Sequence, residues 1–336
     1  MSIDPAALHR QAIVIDAVCP LLADTTHLPL YRRGGLTMVA PTVGGFGGGA
    51  AATLRTLGRW LAAIREDETL LQIRSAADVE RAKAEGKLGI LFHFQGTEPI
   101  EDDLDLVDAY KAIGVGIIQL AYNVKNRFGD GCEERTDAGL SRLGLKLVAR
   151  MNAAKVIVDC SHTGYRTTMD AIEASTAPVV FSHANPRAVH NSPRNILDEQ
   201  IKAVAATGGL TGIVGYPAFV SSSSRPTLDA FIDHIDHVVQ LVGIDHVALG
   251  IDYFDGMAPL AEPAAAQRQY EGLVAAGHWS PASYPPPPYH YPEGIETPEG
   301  MPALTAGLVR RGYGADDILK ILGGNWMRVY RAVWGS

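Results

Sequence analysis

Cysteine is scarce in this chain: Cys19, Cys132 and Cys160 are the three present, odd in number and scattered. Such a set does not build a disulfide framework, and reduced thiols in a soluble cytoplasmic protein are expected. No block of Lys and Arg occurs and the formal net charge is −8. Neither nucleic acid nor an anionic membrane surface is therefore expected as a partner. No apolar run approaches the ~20 residues that span a bilayer. The opening M-S-I-D-P-A-A-L-H-R-Q lacks a basic region followed by an apolar core, so no signal peptide is expected. A Gly-x-Gly-x-x-Gly turn after the first apolar run is also missing. A-I-V-I-D (12–16) leads into A-V-C-P instead, read as a loop, which argues against a doubly wound dinucleotide-binding sheet. The glycine-rich V-G-G-F-G-G-G-A (43–50) has no Lys-Ser/Thr and no clear strand before it. It reads as a flexible surface loop, not a phosphate loop.

What is present is a globular composition, 47% apolar and 20% charged, which separates the chain from disordered sequences. Short apolar runs alternate with helical periodicity throughout. Strands are expected at 12–16, 88–94, 116–122, 156–160, 179–181, 209–216 and 246–252. Helices are expected at 54–73, 104–113, 140–154, 165–175, 228–242 and 302–311. No domain-sized linker interrupts them. The pattern predicts one α/β domain, a (β/α)₈ TIM barrel. A proline- and aromatic-rich run at 276–292 can be neither helix nor interior strand, and reads as an excursion: lid, dimer arm or strap.

Two apolar runs end in Ser-His: V-I-V-D-C-S-H places His162 just past one strand, and P-V-V-F-S-H places His183 just past the next. Consecutive strands of a parallel barrel deliver their ends side by side, so the two imidazoles should share the C-terminal mouth. The same mouth should receive Asp16, Gln95, Tyr122 with Asn123, Arg187, Arg194 and Asp252. His, His and Asp from separate strands suit zinc, and a guanidinium suits a substrate carboxylate. Packing alone gives no reason for imidazole at two adjacent strand ends. Cys19, by contrast, reads as an inert buried thiol rather than a nucleophile, and Asp16 as a buried acceptor.

V-D-C-S-H-T-G, F-S-H-A-N-P-R-A-V-H-N-S-P-R-N, G-I-D-H-V-A-L-G-I-D-Y-F-D-G and the terminal L-G-G-N-W-M-R-V together resemble the membrane (renal) dipeptidases, peptidase family M19, among the amidohydrolase-like barrels. The resemblance covers nearly the whole chain. It implies two zinc ions bridged by a carboxylate and a hydroxide, and an arginine on the substrate carboxylate. His162 and His183 match the histidines of one zinc, Asp252 the carboxylate beside the other, and Arg194 that arginine. Other positions depart. The family's D-G-H-N-D is here D-A-V-C-P, with Val18 and Pro20 in place of a His and an Asp. Its I-E-G is F-Q-G, with Gln95 at the bridging glutamate. Its T-H-N is A-Y-N, with Tyr122 where a histidine faces the scissile carbonyl.

These departures imply that binuclear zinc is lost and that at most one divalent metal remains. His162 and His183 would hold it, with Gln95 oxygen, Asp252, water or His93 completing the shell. The expected function is hydrolysis of an amide in a small carboxylate-bearing substrate, a dipeptide or an N-acyl amino acid. Asp252, Tyr122 and His162 would be catalytic, and Arg194, Asn123 and Tyr122 would bind substrate. The alternatives are an inactive barrel that binds a small acid, and a metal-independent enzyme using His/Asp chemistry. A homodimer is implied by the resemblance alone.

Overall fold

The computed structural model describes residues 3–335. Its strands are β1 (Ile15–Cys19), β2 (Met38–Gly45), β3 (Leu70–Gln72), β4 (Leu88–Ile90), β5 (Phe92–Gln95), β6 (Val115–Gln119), β7 (Ile157–Asp159), β8 (Val179–Val180), β9 (Thr211–Ile213) and β10 (Val247–Leu249). All their pairings are parallel. β4 and β5 form one strand interrupted at Leu91. β2 pairs with it on one edge and with β1 on the other. The path runs on through β6, β7 and β8, crosses to β9 at Phe181–Thr211 and reaches β10. β10 returns to β1 where Ile251 N donates to Asp16 Oδ1 (2.8 Å) and Asp252 N to Val18 O (3.2 Å). This closes an eight-stranded barrel, as the alternation of elements predicts, with β3 added to one edge of β4.

Most barrel strands are buried at every position, including β1, β5, β6 and β7. Parallel strands with helices outside and packed side chains inside have no solvent face, hence their unbroken apolar runs. The helix Leu228–Val242 shows how the outer layer attaches. Thr227 caps it by accepting from Ala230 N, and Leu228, Phe231, Ile232, Ile235 and Val238 form its buried stripe.

Three expectations are corrected. The first strand spans Ile15–Cys19, so A-V-C belongs to it rather than to a loop. Residues 43–45 are not a loop but the end of β2, where Gly45 pairs with Gln95. A Cβ on Gly45 would lie 2.7 Å from the Gln95 carbonyl carbon, so glycine there permits close strand approach. The helix expected over 54–73 spans Ala50–Glu66 and gives way to β3. Its apolar spacing continues past the end because Leu70 is buried in the sheet. Among the described residues no helix is long and apolar enough to cross a membrane.

Candidate active site

The two Ser-His units close around one carboxylate. Asp159 ends β7, and its Oδ1 accepts from Ser161 N (2.9 Å), Ser161 Oγ (2.8 Å) and Ser182 N (2.9 Å). Its Oδ2 accepts from Ser182 Oγ (2.5 Å) and faces His93 Nε2 at 3.4 Å. Burial opposes the charge, but the hydrogen bonds from His93 and the Ser182 hydroxyl hold this carboxyl well below the usual range. Asp159, Ser161 and Ser182 were not anticipated as site residues. The duplicated Ser before each His was the available signal.

A chain of close polar contacts leads from Asp159 to the mouth. Ser182 Oγ lies 2.7 Å from His183 Nδ1, His183 Nε2 lies 2.8 Å from His162 Nε2, and His162 Nδ1 lies 2.6 Å from Asn123 Oδ1. The protons can be placed. Asn123 donates its amide to His278 O (2.9 Å) and Tyr284 Oη (3.0 Å), so its oxygen accepts and His162 Nδ1 carries hydrogen. Ser182 gives its proton to the charged Asp159, so His183 Nδ1 carries hydrogen too. With both rings neutral, the gap between the two Nε2 atoms is left with two lone pairs and no proton. Burial, and then the charge of Arg194, push both imidazoles far below the usual histidine range, so neutral rings are the resting state.

His162 adopts φ +61°, Asn123 +56° and Asp252 +63°. This left-handed backbone costs a non-glycine residue roughly 1–2 kcal/mol and gathers where function demands it. Tyr122 stacks on His162 (ring centroids 4.1 Å apart, 24° between planes) and on Phe46 (3.9 Å, 24°). Its oxygen accepts from Trp279 Nε1 at 2.9 Å. Trp279 stacks on Tyr284 (4.4 Å, 9°). The 276–292 excursion is thus a roof on the mouth. It holds both supports of His162: Tyr122 through Trp279, and Asn123 through His278 and Tyr284.

A cavity of about 320 Å³ lies beneath this roof, lined chiefly by Pro20, Phe46, Tyr122, Tyr216, Phe254, Leu273, Trp279 and Tyr284. Its polar groups include Gln95, His162 and Asp252. Gln95 Nε2 donates to Asp252 Oδ1 (3.1 Å). Burial raises the Asp252 carboxyl to about 7, against the lowering by Arg194 and Gln95. Asp16 Oδ1 accepts from Ile251 N, and burial raises this carboxyl to about 7 as well. Burial also raises the Cys19 thiol far above its ordinary value.

Arg194 faces a second cavity of about 190 Å³, lined also by Cys132, Gly164 and Arg187, with His162 the residue common to both. Its guanidinium is 1% exposed. Nη2 donates to His183 O (2.9 Å), Nε has no partner, and no carboxylate lies within ion-pair distance among the described residues. Asn123, expected to contact substrate, has its amide committed to His162 and the roof.

The expected ligands do not form a metal shell. They lie as two pairs, the facing Nε2 atoms of His162 and His183 and the hydrogen-bonded Gln95 and Asp252, with the Gln95 amide turned nitrogen-first to the carboxylate. No three His, Cys, Asp or Glu side chains gather in a way that could hold a metal ion among the described residues. His93 turns to Asp159. Zinc takes four ligands, and two sharing a tetrahedral ion stand roughly 3.3 Å apart; the two Nε2 atoms are at 2.8 Å with the Arg194 charge beside them.

The family described as Membrane dipeptidase (Peptidase family M19) matches residues 49–276, more than half of the chain. An amidohydrolase from Pseudomonas aeruginosa is 34% identical and superposes with TM-score 0.90, covering 99% of this chain and 100% of that one. An uncharacterized protein in the pqqA 5′ region of Klebsiella pneumoniae is 30% identical over 270 residues, 77% of this chain and 88% of that one. Dipeptidase aclJ of Aspergillus oryzae is 29% identical over 266 residues, 77% of this chain and 56% of that protein.

Proposed function

This chain belongs to the membrane dipeptidase family, peptidase family M19, and on that premise we propose that it hydrolyses an amide bond in a small carboxylate-bearing substrate without the family's binuclear zinc. The observation that carries this reading is Arg194. A buried guanidinium without an anion is costly by several kcal/mol, and a substrate carboxylate entering the second cavity supplies the missing partner through paired N–H donors. His162, shared by both cavities, then lies beside the amide that joins the two ends of the substrate.

The chemistry follows from groups whose environments separate their protonation. The neutral His162–His183 pair is the base: a water attacking the carbonyl carbon loses its proton to the gap between the two Nε2 atoms. Asp159, through Ser182, balances the charge that forms on the pair. Tyr122 accepts the indole proton of Trp279, which leaves its own O–H to donate to the developing oxyanion. Asp252, raised to about 7, is the acid. Its proton passes to the nitrogen as the C–N bond breaks. The proton held by the histidines then returns to Asp252 through water, giving one acid and one amine per turnover.

The same reading places the protein in the cytoplasm, consistent with three free thiols, as a homodimer acting on a small molecule. Its test is release of amine from a panel of N-acyl amino acids and dipeptides by metal-stripped protein. Turnover that persists under chelation and disappears in His162→Ala supports it. Turnover abolished by chelator and restored by zinc overturns the metal-free chemistry.

A further inference from the structure

Two of the positions that depart from the family pattern stand in the wall of a largely apolar cavity. Pro20 stands where the resemblance places a metal-binding aspartate, Tyr122 where it places a histidine, and both line the 320 Å³ space under the roof. The roof adds Trp279 and Tyr284, which are 7% and 2% exposed. Tyr216 and Phe254 close the sides.

This space is about twice the ~150 Å³ that accommodates a benzene ring in an apolar protein cavity. Its lining offers little to a charged group. Asp255, at the rim, is exposed and already accepts from Gln269 (2.7 Å). Asp252 accepts from Gln95 through Oδ1 alone. The second cavity, lined by Arg187 and Arg194 together with Glu134 and Asp137, begins on the other side of His162, so a substrate whose carboxylate reaches Arg194 extends its acyl end into the aromatic space.

We propose that this cavity is the acyl-group pocket and that it takes a bulky, uncharged, preferably aromatic group, making the substrate an N-aroyl or N-arylacyl amino acid rather than a free dipeptide. The assignment rests on the reading of the chain as an amide hydrolase for its orientation. It does not rest on it for the pocket, whose walls select the group whether or not the bond is cut. A free dipeptide would bring an ammonium into a space lined mostly by apolar or aromatic side chains, exchanging most of its hydration for at most the second oxygen of Asp252.

The test is calorimetric titration of the full chain with N-benzoylglycine, N-acetylglycine and glycylglycine, with glycine release followed separately. N-benzoylglycine should bind at least tenfold more tightly than either of the others, because only it carries a ring to bury. Leu273→Trp, which fills the cavity from its rim, should remove that preference. Thermal unfolding of the variant shows whether it is folded. Should it not fold, the three wild-type affinities decide alone. Glycylglycine or N-acetylglycine binding within threefold of N-benzoylglycine overturns the assignment, as does a folded Leu273→Trp variant that keeps the full benzoyl preference. Tight, selective binding without glycine release supports the pocket and removes the hydrolase reading. Release from glycylglycine with no benzoyl preference does the reverse.

Discussion

The indole N–H of Trp279 donates to the phenol oxygen of Tyr122 at 2.9 Å, across 157 residues of sequence. The bond decides what the phenol is free to do, since an oxygen that accepts from indole keeps its own proton for substrate. It also ties the roof to the ring that lies on His162. Trp279→Phe preserves an aromatic ring against Tyr284 and deletes only the donor. A neutral hydrogen bond of this kind contributes about 0.5–1.5 kcal/mol. The variant should therefore lose roughly two- to tenfold in kcat, with KM for small acyl groups little changed. Steady-state kinetics on both proteins checks this, and an unchanged kcat removes the roof from the catalytic assembly.

Asp252 and the histidine pair predict the shape of the pH profile. Catalysis by the proposed route needs Asp252 protonated and the pair neutral. Asp252 is raised to about 7, so kcat/KM should fall as pH rises through about 7, when the acid loses its proton. Both imidazoles are pushed down by burial, so the acid limb should lie below the ordinary histidine range. Asp252→Asn should reduce kcat by roughly 10²-fold or more, the usual effect of losing a general acid, and flatten the limb near pH 7. A rate that climbs through that region instead would assign Asp252 as the base.

The barrel was legible because buried parallel strands write themselves as unbroken apolar runs, as in V-I-V-D-C and H-V-A-L. The helix Leu228–Val242 was legible from its buried stripe. β2 was not, because P-T-V-G-G resembles a loop until the approach of Gln95 gives its glycines a purpose. Both Ser-His units could be placed at the mouth from sequence. Their partner Asp159 could not, since an acid at the end of an apolar run looks alike whether it is exposed or clasped by two serines. The division into an aromatic cavity and a polar one that holds Arg194 was hidden for another reason. It depends on Trp279 and Tyr284, which return to Tyr122 and Asn123 from more than 150 residues away.

Arg194 should oppose folding while its pocket is empty. Replacing a buried, poorly paired charge by an apolar side chain of similar length is often stabilising by about 1–4 kcal/mol. Arg194→Met should thus raise Tm by at least a few degrees, on the order of 2–4 °C per kcal/mol. A carboxylate ligand such as N-benzoylglycine should raise the Tm of the natural chain and leave that of the variant unmoved. Differential scanning calorimetry with and without ligand separates this from a purely structural arginine, whose loss would lower Tm and leave no ligand effect to remove.

Metal content separates the remodelled site from the family's. On the proposed reading, two imidazoles flanked by a guanidinium, with an amide and a hydrogen-bonded carboxylate as the remaining donors, should hold zinc only weakly. Elemental analysis of protein passed through chelator and desalted should find less than one zinc per chain. The substitutions V18H, P20D and Q95E together restore the ligand types that the family pattern places there. Val18 is fully buried and Gln95 nearly so, and new charges buried without metal are destabilising. The triple variant should therefore have a lower Tm than the natural chain in chelator, regain stability as zinc is added, and bind close to two equivalents. A natural chain that emerges from the same treatment with two zinc ions would show that the His162–His183 gap and the Gln95–Asp252 pair open to admit metal. A triple variant indifferent to zinc would show that the barrel mouth itself, with Pro20 and Tyr122 now wall residues, has closed over the old site.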